Sequence, residues 1–296
     1  MSLPWRLAIL LTILIIVYCW KSSQLIIAPK RFVSPYTPAD FGLNFIPVKI
    51  TTKDNIELDV WFIPADSIKW NPKPAIILCH GFGADKGDLI DIARFLHPAD
   101  YNIVMFDFRA HGKSEGKYSS LGYYECRDIS AIIKWLHQQG INRIGAFGVS
   151  MGGTTALFSA TQNQSIQAVV TDGAYISFWS AVTSFARAYY KAPKYPFIPP
   201  AVWTAGMRLK FKPSKLNLAN YLHNFQPGHA LIIHGNRDEE ISPKDAYQIY
   251  SSITPHSAGL TLWIIKGARH LESHKVAKQE YERKIIEFFN SILKKA

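Results

Sequence analysis

Cysteine is scarce in this chain. Its 296 residues hold three, Cys19, Cys79 and Cys126, at wide spacing, with no Cys-x-x-Cys pair and no His/Cys cluster at zinc spacing. That pattern excludes a disulfide framework and a structural metal site. Cys79 lies inside an apolar run and reads as a small buried hydrophobe rather than a reactive thiol. A repeat of fixed period and low-complexity tracts are also absent. Charged residues make up 19% against 48% hydrophobic, so the composition of a disordered chain is missing. Acid is the scarcer sign: 22 Asp and Glu against 33 Lys and Arg leave a net charge of +11, which favours anionic partners. Neither a nucleic-acid-binding module nor a large basic patch accompanies that charge, so nucleic acid is not an expected partner.

A long apolar run is present at the N-terminus. Leu7 to Trp20, LAILLTILIIVYCW, is apolar except for Thr12, and Leu25 to Ala28 continues it. The run itself reaches about 21 Å as a helix, short of a bilayer core of about 30 Å, but Pro4 to Ala28 suffices to cross one. A cleaved signal peptide is the rival reading, and a hydrophobic partner-binding helix a third. The following VYCWKSSQ puts bulky residues where a signal peptidase requires small ones, and Cys19 lacks a lipoprotein context. Trp5, Tyr18 and Trp20 suit the two interfaces of a membrane. Residues 1–28 are therefore expected to form a single-pass anchor. Arg6 on one side and Lys21, Lys30 and Arg31 on the other leave the membrane side open.

Residues 29–44, with three prolines and no sustained period, read as a linker. Two alternating runs around Lys53-Asp54-Asn55 predict a hairpin. From there to residue 296, short strands apolar throughout alternate with amphipathic helices, the pattern of an α/β domain with a mostly parallel sheet covered on both faces. Residues 176–225 interrupt it with an aromatic, basic, proline-rich segment far longer than a crossover needs, and are expected to form an inserted helical cap.

The chemistry is expected beyond the carboxyl ends of the strands. Gly148-Val149-Ser150-Met151-Gly152 lies between a strand-like and a helix-like segment, the strand–turn–helix context in which a serine is held up as a nucleophile. A serine hydroxyl needs a base to take its proton, and that base needs an orienting acid. Asp238, directly after one strand, and His270, beyond the next, supply them in the chain order Ser, Asp, His. Glu239 and Glu240 read as solvated turn charges, and His274 as part of the approach to the last helix. The oxyanion donors are expected to be the backbone N–H groups of Met151 and of Phe82, with His80 and Gly81 shaping the loop. Asp107, Arg109 and His111 read as a structural set, with an Asp107–Arg109 ion pair shaping its own loop.

HGFGADKGD, FDFRAHGKSEG, GVSMGG, HGNRDEEISP and GARH, five motifs in order, resemble the α/β-hydrolase superfamily over nearly all of residues 45–296. Within it, the chain is similar to single-span, membrane-tethered hydrolases of the serine-aminopeptidase-like and α/β-hydrolase-domain-containing type. The resemblance implies a serine hydrolase of carboxylic esters, thioesters or occasionally amides, acting through an acyl-enzyme without cofactor or metal. Two other readings stay open: an amidase or peptidase on the same three residues, and a non-catalytic protein that binds a lipid or partner, since the fold hosts many functions. The cap aromatics Phe178, Trp179, Phe185, Tyr189, Tyr190, Trp203 and Phe211 are expected to form the cap's own core in part and to line an acyl pocket in part. Arg208, Lys210, Lys212 and Lys215 suit a membrane surface or solvent. The expected partners are a small-molecule acyl ester or lipid substrate and the membrane; no oligomeric state follows.

Overall fold

The computed structural model describes residues 3–65, 73–225, 229–253 and 259–294. Helix α1 (Leu3–Ile27) leads into a segment that is irregular, as its prolines require. That segment is nonetheless fixed: Arg31 donates from Nη1 to the carbonyls of Gly112 at 2.9 Å and Ser114 at 2.6 Å, and the Ser34 amide donates to Asp85 at 2.7 Å. The expected hairpin follows, β1 (Ile46–Thr51) paired antiparallel with β2 (Glu57–Ile63). Asn55 in its turn takes φ 60°, which a short polar side chain tolerates.

The α/β alternation comes next: β3 (Ala75–Cys79), α2 (Ile90–Leu96), β4 (Asn102–Phe106), α3 (Cys126–Gln138), β5 (Ile144–Val149), α4 (Met151–Ala160) and β6 (Ile166–Asp172). After the cap segment come β7 (His229–Gly235), α7 (Pro243–Ser252), β8 (Gly259–Ile265), the short α8 (Ser273–Val276) and α9 (Lys278–Leu293), while α5 (Phe178–Tyr190) and α6 (Ile198–Leu209) lie within it. The described strands form one sheet in the order β1-β2-β4-β3-β5-β6-β7-β8, parallel from β4 to β8. Every residue of β3 and β4 is buried, as a sheet covered on both faces demands. In α3 the buried Ile129, Ile132, Ile133 and Leu136 recur at helical spacing and meet that sheet from one side, while Tyr281, Ile285 and Phe289 of α9 do so from the other.

The loop after β4 is clasped by buried charges, though not as the sequence suggested. Asp107 and Arg109 do not pair with each other, because each points to a different neighbour. Lys86, buried among aromatic and acidic groups, holds Asp107 and Asp59, both at 2.6 Å, with its ammonium 4.5 Å from the Trp61 ring centroid. Arg109 reaches the other way, to Asp128 on α3 at 2.6 Å and to Asp54 in the hairpin turn at 2.8 Å. Hairpin, β4 loop and α3 are thereby tied together. Cys79 is buried as expected, and burial raises its thiol far above the reactive range.

The cap aromatics divide differently from their grouping in sequence. Phe178 and Phe211 are buried and meet edge to face at 5.5 Å. Trp179, Phe185, Tyr189, Tyr190 and Trp203 are exposed. In α1, residues 3–17 project from the body with their apolar side chains exposed, whereas Ser23 and Ile27 are fully buried against it. Arg208 of α6 makes that junction, donating to the Ser23 hydroxyl at 2.7 Å and the Trp20 carbonyl at 3.3 Å, and lying 4.1 Å over the Trp20 ring.

Replacing Lys86 with Met leaves the buried Asp107 carboxylate without its cation, an arrangement that typically costs about 3–5 kcal/mol. Urea unfolding at neutral pH should show a loss of that size. Burial pushes Asp59 up, but Lys86 outweighs it and holds the carboxyl below its ordinary value. That contribution to stability is complete above the unfolded carboxyl value of about 3.9 and is lost as pH falls through the lower folded value. The acid limb of the stability curve should therefore be shallower in Lys86→Met than in the parent chain.

Candidate active site

Ser150 joins β5 to α4 at φ 49° and ψ −117°, a conformation that costs a residue with a side chain about 1–3 kcal/mol and persists only where the surroundings impose it. Two glycines do the imposing. A Cβ on Gly148 would lie 2.4 Å from the carbonyl of Gly152, and one on Gly152 would lie 2.0 Å from the carbonyl oxygen of Cys79. Only bare backbone lets the first turn of α4 sit against the ends of β5 and β3. The Ser150 amide is held by the Asp172 carbonyl at 2.9 Å, which leaves the hydroxyl standing above the sheet.

The ends of β7 and β8 bring up the other two predicted side chains. His270 Nε2 stands 3.1 Å from Ser150 Oγ, and His270 Nδ1 stands 2.6 Å from Asp238 Oδ2. With the carboxylate as acceptor, Nδ1 carries the proton and Nε2 is free to accept the serine hydroxyl. Asp238 is fixed in turn: its Oδ1 accepts the amides of Glu240 at 2.9 Å and Ile241 at 2.8 Å. Burial pushes its carboxyl up, but hydrogen bonds from His234 and His270 outweigh burial and hold it at about 2. A carboxylate so fixed can orient His270 and stabilise its protonated form. His274 instead contacts Glu282 at 2.8 Å, and Glu239 is exposed.

Loop geometry also explains His80. The Phe108 amide donates to its Nε2 at 3.0 Å, so Nδ1 bears the proton and donates to the Gly81 carbonyl at 2.7 Å. Burial drives the ring well below the ordinary histidine range, so it stays neutral. In a trans peptide the C=O and the following N–H point in opposite directions. Anchoring the Gly81 carbonyl towards His80 therefore turns the Phe82 N–H away from it, on a loop whose Gly81 would carry a Cβ 3.7 Å from Ser150 Cβ. The Met151 N–H lies at the first turn of α4, where helix amides have no partner within the helix. Phe82 lines the same cavity as Ser150 and His270.

Two groups were not singled out from the sequence. His234, four residues before Asp238 at the end of β7, places Nε2 3.1 Å from Asp238 Oδ2 and 3.1 Å from the Ile241 carbonyl, so the acid serves two histidines. Burial lowers its basicity, and the hydrogen bond to Asp238 more than reverses this. Asp172, beneath Ser150, is buried and accepts from Ser273 at 2.8 Å and Tyr281 at 3.0 Å; burial pushes its carboxyl up. The His-Gly and Asp-Gly pairs at the two strand ends were the signals available. Among the described residues, no group of three or more His, Cys, Asp or Glu is arranged to hold a metal ion.

Above Ser150 and His270 lies a cavity of about 910 Å³, lined by Phe82, Tyr175, Phe185 and Tyr189 among others, and on one side by α1. A family model described as the α/β-hydrolase fold matches residues 74–192. The structure of the Pyrococcus furiosus esterase Pf2001 superposes with a TM-score of 0.75 at 28% identity, covering 90% of this chain and 99% of that one. The chain has the α/β-hydrolase fold. Among curated relatives, the uncharacterized protein YqkD of Bacillus subtilis is 25% identical over 221 residues, 73% of this chain and 71% of that protein. The protein bem46 of Schizosaccharomyces pombe is 23% identical over 176 residues, 56% of this chain and 58% of that protein.

In this α/β-hydrolase fold the close packing at Gly152 has a direct consequence. Gly152→Ala cannot be relieved by moving a flexible side chain, since the obstacle is the Cys79 backbone. Overpacking of this kind should cost about 1–3 kcal/mol, read as a lower urea midpoint than that of the parent chain.

Proposed function

We propose that this chain is a membrane-tethered serine hydrolase that cleaves carboxylic esters of acyl, lipid-like compounds, thioesters included, through an acyl-enzyme. The observation that carries the proposal is the contact of His270 Nε2 with Ser150 Oγ at 3.1 Å on a strained turn. Ser150 Oγ attacks the ester carbonyl carbon while His270 Nε2 takes its proton. The Phe82 and Met151 N–H groups receive the oxyanion. His270 then gives the proton to the leaving alcohol, and the acyl group stays on Ser150. Water, deprotonated by His270, attacks the acyl-enzyme and releases the acid. Asp238 holds the imidazole tautomer throughout. The esterase activity named for the Pyrococcus furiosus relative supports the ester assignment, as does the cavity wall of aromatic and aliphatic groups. An amidase would use the same three residues, and turnover of matched ester and amide substrates separates the two.

In the same reading, residues 1–28 are a retained anchor, 29–44 connect it to the hydrolase domain of 45–296, and 176–225 cap the pocket. Retention is supported by the burial of Ser23 and Ile27 in the body, which a cleaved signal would not need. Membranes washed in alkaline carbonate should keep the chain in the pellet with the peptide containing Trp20 present; its loss to the supernatant without that peptide would point to cleavage.

Purified full-length protein in detergent should turn over a p-nitrophenyl acyl ester. Ser150→Ala should lower kcat by about 10⁶-fold and Asp238→Asn by about 10⁴-fold. Undiminished turnover in Ser150→Ala would contradict the proposal.

A further inference from the structure

The helix that would tether the chain also forms a wall of the pocket over Ser150. Tyr18, Ser22, Leu25 and Ile26 of α1 line the same cavity as Ser150 and His270. Their spacing puts them on one face of the helix. The next turns of that face towards the N-terminus carry Leu14, Leu11 and Leu7, all exposed and apolar. The cap residues Tyr189, Tyr190 and Phe197 line the same cavity and are themselves exposed. Tyr18 fixes the junction, donating to the Phe197 carbonyl at 3.1 Å with the two rings edge to face at 5.8 Å.

Lengths place this junction at the membrane boundary. The projecting residues 3–17 account for about 22 Å of helix. A hydrocarbon core of about 30 Å needs roughly five residues more, which reaches Ser22. Tyr18 and Trp20 then lie in the last turn of that span, next to the interface where such side chains concentrate, and Lys191 and Lys194 flank the exposed Tyr190 and Tyr195 as basic residues do on a membrane-facing surface. The α1 face that carries Leu7, Leu11 and Leu14 thus continues through Tyr18, Ser22 and Leu25 into the cavity.

We propose that α1 is part of the substrate site: the substrate is a long-chain acyl ester resident in the membrane, whose chain lies along the Leu11–Tyr18–Ser22–Leu25 face as its ester reaches Ser150. This rests on the reading of Ser150 as nucleophile and of α1 as a span. Chain-length selectivity is then set by Ser22 and Leu25 together with the cap. Enlarging either side chain blocks the wall, whereas Lys21, on the neighbouring outward face, is exposed and absent from the lining.

The test uses the full chain in detergent with p-nitrophenyl palmitate and p-nitrophenyl acetate. Ser22→Trp and Leu25→Trp should each lower the palmitate-to-acetate ratio of kcat/KM at least tenfold, and Lys21→Trp should leave both rates as they are. An unchanged ratio in both wall variants overturns the proposal. A second measurement does not depend on hydrolysis. Ser150→Ala protein carrying a photoreactive benzophenone side chain at position 22 is placed in phosphatidylcholine nanodiscs with alkyne-tagged monopalmitoylglycerol. Capture at position 22 that exceeds capture at position 21 and is competed by untagged monopalmitoylglycerol supports the assignment. Equal capture at both positions, or none at 22, overturns it even if the esterase reading stands. Absence of ester turnover in the parent chain alongside competed capture at 22 would remove the esterase reading and keep α1 as a lipid-binding wall.

Discussion

The distance between the first turn of α4 and the end of β3 governs the site. Gly152 lies so near the Cys79 carbonyl that no side chain fits between them. This contact brings the unpaired Met151 amide to the same place as the loop that continues β3. It also forces the chain to turn at Ser150 within one residue, and the positive φ there is the geometric result. Any relaxation of that packing would separate Ser150 from the Phe82 and Met151 amides at once, because all three hang from the same two strand ends.

Around this steric constraint the electrostatics are divided by depth. Asp238 is held as a carboxylate by two backbone amides and two histidines, so it can support positive charge on His270 without taking the proton. Neutral His80 contributes no charge and instead aims a peptide group. The buried cations Lys86 and Arg109 lie further from the reacting atoms and are matched by Asp59, Asp107, Asp54 and Asp128. Their work is to keep the β4 loop, against which His80 is braced, in one conformation.

Much of this was legible in the sequence, for local reasons. The apolar runs of β3, β4 and β5, the helical spacing of α3 and the turn residues at Asn55 are all properties of neighbouring positions. Ser150, Asp238 and His270 were readable because a parallel sheet delivers the ends of all its strands to one edge, and the structure brings the three within hydrogen-bonding reach. What was not readable depends on direction in three dimensions. Asp107 and Arg109 sit two residues apart yet point to opposite partners. His234 looked like any strand residue until β7 placed it behind Asp238. Trp203 and Phe178 have similar apolarity in sequence, but only Phe178 faces the body. The docking of Ser23 and Ile27 was hidden inside a segment whose composition reads simply as a membrane span.

The proposed reaction requires an activated hydroxyl at Ser150. Its most direct test is to treat the folded full-length protein with a fluorophosphonate and map the modified residue by tandem mass spectrometry. The account predicts stoichiometric modification of Ser150 that is lost when the protein is unfolded beforehand. Labelling of a different residue, or no labelling of the folded protein, would contradict it.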